Sequence, residues 1–156
     1  MRQLRFTFTE KGVSGLVDLE ENFAPRTCDI IWRALATPLR ELCFHAMYAG
    51  PEIMIGLPKA AQIFDPRAVP AENQTVIPAP GDVLWFFQGP NMMKGLTDEF
   101  WEIGMFYADG GRVFGPLGWT PVTIFGRMRA EDLPGFAAEC AYIRLHGAKY
   151  LAIERV

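Results

Sequence analysis

The chain has 156 residues, half of them hydrophobic, 13% aromatic and 21% charged. That balance suits one packed domain over residues 1–156 and excludes a disordered chain. The net charge of -3 without any basic run argues against a nucleic-acid partner. The longest purely apolar run, Val83-Leu84-Trp85-Phe86-Phe87, is far short of the roughly 20 residues of a membrane-spanning helix.

In chain order, the first signal is alternation: residues 4–9 and 13–20 read as two strands joined by Glu10-Lys11-Gly12, a connection of hairpin length. The alternating start lacks the apolar core of a signal peptide, so a cytoplasmic protein with no membrane partner is expected. Pro25 then opens a helix, because a missing amide costs nothing in a first helical turn. Cys28, Ile31, Trp32 and Leu35 give that helix one apolar face. Residues 40–48 alternate, with Leu42, Phe44, Ala46 and Tyr48 on one face, Cys43, His45 and Met47 on the other, and both faces expected to be buried. After the Gly50-Pro51 turn, residues 52–57 form a short strand whose one charge, Glu52, stands at its start.

Residues 58–73 hold three prolines and no sustained period, which predicts a long loop. A brief strand at 74–77 and a turn at Pro80-Gly81-Asp82 lead into a strand at 83–87, and 88–98 is again irregular. Residues 100–107 read as an aromatic-rich strand, with Asp109-Gly110-Gly111 predicting a hairpin that returns through 112–114. A strand at 122–128 precedes a second helix, which has Pro134 in its first turn, a stripe of Leu133, Phe136, Ala137, Cys140 and Ile143, and Gly147 at its end. Residues 150–155 close the chain as a strand. Eight or nine short strands with two helices, and no helix between successive strands, predict a mainly β protein: an antiparallel barrel or sandwich.

Few residues advertise chemistry. Cys28, Cys43 and Cys140 are odd in number and lie in apolar patterns, as buried free thiols do. No spacing of His, Cys, Asp or Glu pre-arranges a metal site, no glycine loop opens a helix as phosphate binding requires, and Ser14, the one serine, has no nucleophile elbow. No metal and no cofactor are therefore expected. His45, flanked by apolar residues, is a candidate acid-base or hydrogen-bonding group, with Glu52 as its partner across a short turn; the competing reading is a core histidine bonded to a backbone carbonyl. His146 reads as a helix-terminal cation, and Asp82 as a turn residue bonding nearby amides. Tyr48, Trp85, Phe114 and Trp119, joined by Arg112, are candidate walls of a ligand cleft, against the alternative that each is core. Asn73 and Thr75 are candidate neutral hydrogen-bonding groups beside it.

Phe23 to Leu35, the Phe44-His45 pair and Val122-Thr123-Ile124-Phe125-Gly126-Arg127-Met128 together resemble the cyclophilins across nearly the whole chain. The combination of Ala24-Pro25-Arg26-Thr27-Cys28, Pro80-Gly81-Asp82-Val83-Leu84 and Ile124-Phe125-Gly126 is more closely similar to a bacterial cyclophilin-like family of uncharacterised function. The resemblance implies a closed antiparallel eight-stranded barrel capped by two α-helices, and it implies no established reaction. Cyclophilins rotate X-Pro bonds with an arginine that directly follows a Phe-His pair, whereas Ala46 follows Phe44-His45 here; Arg40 or Arg112 would have to substitute. The expectation is thus a small polar or carboxylate-bearing metabolite bound near His45, Tyr48, Glu52, Trp85, Arg112, Phe114 and Trp119. The alternatives are a divergent peptidyl-prolyl isomerase, or a non-catalytic subunit that forms a homo-oligomer through Phe64 and Met92-Met93.

Overall fold

The computed structural model describes residues 1–156. In chain order it contains β1 (Gln3–Phe8), β2 (Val13–Leu19), α1 (Pro25–Ala34), β3 (Leu39–His45), β4 (Glu52–Gly56), β5 (Gln74–Thr75), β6 (Asp82–Gln88), β7 (Phe100–Phe106), β8 (Phe114–Gly115), β9 (Gly118–Trp119), β10 (Val122–Met128), α2 (Leu133–His146) and β11 (Lys149–Arg155). The eight long strands are all antiparallel and follow one another around a ring in the order β2-β1-β11-β3-β4-β7-β6-β10. Pairing of β10 with β2 through Gly126–Leu19, Arg127–Asp18 and Met128–Val17 closes the ring. The fold is therefore a closed eight-stranded antiparallel barrel with two helices, and the edge groups of an open sheet are all used internally.

Alternation along each strand fills the interior with Leu4, Phe6, Phe8, Val17, Cys43, Ile53, Ile55, Val83, Trp85, Ile103, Met105, Leu151 and Ile153, all buried. The helices lie towards opposite ends of β1. Helix α1 buries Cys28, Ile31 and the following Leu35, while its half-buried Trp32 lies between the guanidinium groups of Arg2 and Arg155. Helix α2 buries Phe136, Cys140 and Ile143, and the Phe136 ring packs 4.7 Å from that of Phe8 at the other end of the strand.

Three local expectations need correction. Strand β3 stops at His45, because the Ala46 amide donates to the Glu52 carbonyl and residues 46–51 turn the chain into β4. Its outer face is also uncovered, with Leu42 and Phe44 exposed, so only the Cys43 face is core. The return through 112–114 does not pair with β7, since β4 and β6 already occupy both of its edges. Instead the Arg112 amide reaches the Ala49 carbonyl, Val113 reaches Val76, and β8 pairs with β9 as a small separate hairpin lying over the outside of the barrel.

The loop at 58–73 holds two short 3-10 turns, Lys59–Ala61 and Pro66–Ala68. Between them Phe64 packs inward on Trp85 and Trp101, with ring centroids 5.4 and 5.1 Å away.

Candidate functional site

The barrel interior is occupied by side chains, and the candidate site lies on its outer wall. On that wall β4 presents Glu52 and Met54, β7 presents Glu102, Gly104 and Phe106, β6 presents Leu84, Phe86 and Gln88, and β10 presents Val122 and Ile124, as the register dictates. An outer face this apolar must be covered, and the 107–121 segment and the 46–51 turn fold over it. Ala49, Leu84, Phe106, Val122 and Ile124 form a second buried cluster there, joined by Ala46, Phe86 and Val113.

The cover is incomplete. Between the wall, the 46–49 turn, the β8 region and the Met93–Leu96 bridge remains a mostly apolar pocket of about 170 Å³, walled by Met54, Phe86, Val113 and Phe114 and rimmed by Tyr48, Met93, Leu96 and Thr120. Glu52 and Glu102 line it as well.

These two carboxyls converge over Gly104, which is opposite Met54 on one side and Leu84 on the other. A Cβ at Gly104 would lie 2.7 Å from Glu52 Oε1 and 2.8 Å from Glu102 Oε1, so the glycine makes the room in which they meet. Burial raises the carboxyl of Glu52 well above the usual range, the charge of Glu102 adds to the effect, and the two side chains are hydrogen bonded to each other. Burial pushes Glu102 up to about 7. Two buried carboxyls without a cation resolve their repulsion by sharing a proton, which leaves acceptor oxygens and a single negative charge beside the pocket.

The expected site residues fall in three groups. Glu52, Tyr48 and Phe114 do line this pocket, and Trp119 packs against Phe114 at a centroid distance of 5.1 Å. His45 and Arg112 lie in an adjoining cleft that also contains Arg144 from α2 and shares Ala46, Met47 and Tyr48 with the pocket. Trp85 is not brought to either, because its odd position on β6 turns it into the interior against Trp101.

His45 does not meet Glu52. It is paired with Ile53, one residue on, so the two side chains leave opposite faces of the sheet. Its Nδ1 lies 2.9 Å from the Ala46 carbonyl and its Nε2 2.9 Å from the Tyr107 hydroxyl. Asn73 and Thr75 serve the backbone: Asn73 Nδ2 donates to the Ile124 carbonyl, and Thr75 Oγ1 accepts from the Ile77 amide. Asp82 accepts from the Ala79 amide and pairs with Arg127. Of the residues expected on a self-association surface, Phe64 is half-buried against Trp85 and Trp101, Met92 is exposed and Met93 belongs to the pocket rim.

Glu102 escaped the sequence reading. Its signal was one glutamate inside Phe100-Trp101-Glu102-Ile103-Gly104-Met105-Phe106, on the same strand face as a glycine. No three side chains of His, Cys, Asp or Glu converge as a metal cage. Cys28 and Cys43 are pushed up to about 12 by burial, and Cys140 is raised too, which keeps all three as thiols. No helix is long and apolar enough to cross a membrane.

A family model described as "Protein of unknown function (DUF3830)" matches residues 6–154. No curated protein matches the chain. Among solved structures, that of McbB in complex with tryptophan shares the fold, with a TM-score of 0.69 at 15% identity over 97% of this chain. The present chain spans 44% of that one.

Proposed function

The chain belongs to the DUF3830 family, and from that premise we propose that it is a single-domain, cyclophilin-like barrel that binds a small organic metabolite in the outer-wall pocket. The observation that carries this reading is the incomplete cover of an otherwise apolar wall. A monomeric surface rarely leaves such a concavity lined by Phe86, Val113 and Phe114 without use. The apolar body of the ligand would lie between these side chains. A carboxylate at its far end would reach past Tyr48 towards Arg112 and Arg144 in the adjoining cleft. McbB, of which a part shares this fold, was solved in complex with tryptophan. Three free thiols suit the reducing cytoplasm.

Native mass spectrometry of gently purified protein tests the reading. An adduct is expected on the wild-type chain and absent from Val113→Trp, which fills the pocket from its wall. An adduct kept in full by that variant would place the ligand elsewhere.

A divergent proline isomerase is the second reading, and it has one observation in its favour: Arg112 shares a cleft with His45. Arg40 is a poorer substitute, since its guanidinium lies over the Tyr150 ring at 3.9 Å on the far side of β3. A coupled proline-isomerisation assay in which turnover disappears with Arg112→Ala would support the isomerase. Absence of turnover removes it.

A further inference from the structure

From the placement of Glu52 and Glu102 in the outer-wall pocket we infer that the site selects ligands bearing a protonated amine, with this carboxyl pair as the counter-ion. The inference rests on the ligand-binding reading of the pocket and adds the chemical class that the pocket takes.

It starts from a contrast among the covered carboxylates. Asp82 is answered by Arg127 at 2.7 Å, Glu139 by Lys149 and Lys11, and Glu72 by Arg26 and the amide and hydroxyl of Thr27. Glu52 and Glu102, only 5% and 6% exposed, receive nothing from the chain except each other. A buried carboxylate without a cation is costly, and folds that keep one usually pair it. Here the unpaired charge borders a concavity, so the complement can come from outside.

Three features of the lining favour an organic ammonium group over a metal ion. A hard divalent cation takes six to eight oxygen ligands and favours charged ones, whereas the two glutamates are the only carboxylates of a lining made mostly of apolar side chains such as Met54, Phe86, Val113 and Phe114. An ammonium group has three donors, and the two carboxyls together with Gln88 or Thr120 supply acceptors for them. The apolar walls need an apolar body attached to the charge, which a bare ion lacks. In so dry a place the ion pair with the carboxyl pair is stronger than it would be at the surface.

Isothermal titration of the intact protein with three probes of one skeleton tests this: phenethylamine, 2-phenylethanol and 3-phenylpropanoate. Phenethylamine is expected to bind at least 10-fold more tightly than the alcohol, with the carboxylate weakest. In Glu52→Gln and in Glu102→Gln the amine's advantage should shrink to threefold or less while the alcohol's affinity is kept, and circular dichroism confirms that each variant is folded. Equal affinity for amine and alcohol, tighter binding of the carboxylate, or an amine preference that survives both substitutions would overturn the amine inference and leave the pocket reading standing. Competition against phenethylamine by Ca²⁺ or Mg²⁺ alone, with no binding of the alcohol, would overturn it in favour of a metal. No binding of any probe to the wild type, with Val113→Trp indistinguishable from it, would sink both.

Discussion

Glu52 and Glu102 make the stability of the native state depend on pH in an unusual direction. Their folded-state affinities for protons lie above those of the unfolded chain, Glu102 at about 7 against an ordinary 4.5. Between these values the native state holds the extra proton, so stability is greatest below the unfolded pKa and is lost as pH rises through the folded one. For Glu102 alone the loss is on the order of 3 kcal/mol. Glu102→Gln should remove the Glu102 share of it while the burial of Glu52 keeps the rest, leaving the variant with a shallower pH slope, more stable than the wild type at pH 8 and no better at pH 4.5 in urea titrations; equal pH slopes for the two proteins would show that the pair is not the source. Half of the pair was legible in the sequence. Glu52 stood out as the only charge of its short strand, but Glu102 was masked by Phe100 and Trp101. Their meeting over Gly104 depends on the register of β4 against β7, which one sequence does not encode visibly. His45 and Trp85 went astray for the same reason, since a single step of register decides which face each side chain takes.

At the scale of the elements, helix α1 begins at Ala24, a residue with no side-chain oxygen with which to cap it. The cap is delivered from the 58–73 loop's trailing residue Glu72, whose carboxylate accepts from the Thr27 amide and hydroxyl at 2.9 Å each and pairs with Arg26. Burial opposes ionisation of Glu72, yet these donors outweigh it and hold its carboxyl below the usual range. This contribution is present above the unfolded pKa and is lost as pH falls through the folded one. Glu72→Ala should cost about 1–2 kcal/mol at pH 7 and much less at pH 3 in urea titrations. It should also speed proteolysis within 58–73, because the same contact ties the loop down; an unchanged midpoint would remove the cap. Proline at the first turn and the apolar stripe made α1 readable to within a residue. The cap was not, since its partner lies 45 residues away.

The whole molecule depends on closing a ring. Five or more paired residues join most neighbouring strands, but only three join β10 to β2, as few as join β3 to β4. That seam runs past Gly126, at a register shift in β10, where a Cβ would lie 2.7 Å from Val17 Cγ1 and 3.3 Å from the Asp18 carbonyl oxygen. Gly126→Ala should therefore destabilise the protein by about 1–3 kcal/mol. Val17→Ala in the same chain should recover part of the loss, a coupling that thermal unfolding of the two single variants and the double one would measure. Additive losses would mean that the contact with Val17 is not what the glycine avoids. The number of strands and the positions of both helices were legible because period and punctuation are local. Which strands would meet at the seam was not, since that follows from the accumulated twist and stagger of the whole sheet.

The inward turn of Phe64 has an optical consequence. It completes an aromatic nest in which the indoles of Trp85 and Trp101 stand edge to face, 6.1 Å apart, whereas Trp119 is mostly exposed beside Phe114 at the pocket's edge. Besides the half-buried Trp32 on α1, the chain thus carries two built-in chromophores with separate duties. The enclosed indole pair should give a blue-shifted emission and a chiral near-ultraviolet signature that follow the seating of the loop. The open indole should emit further to the red, where a quencher or an arriving guest can reach it first.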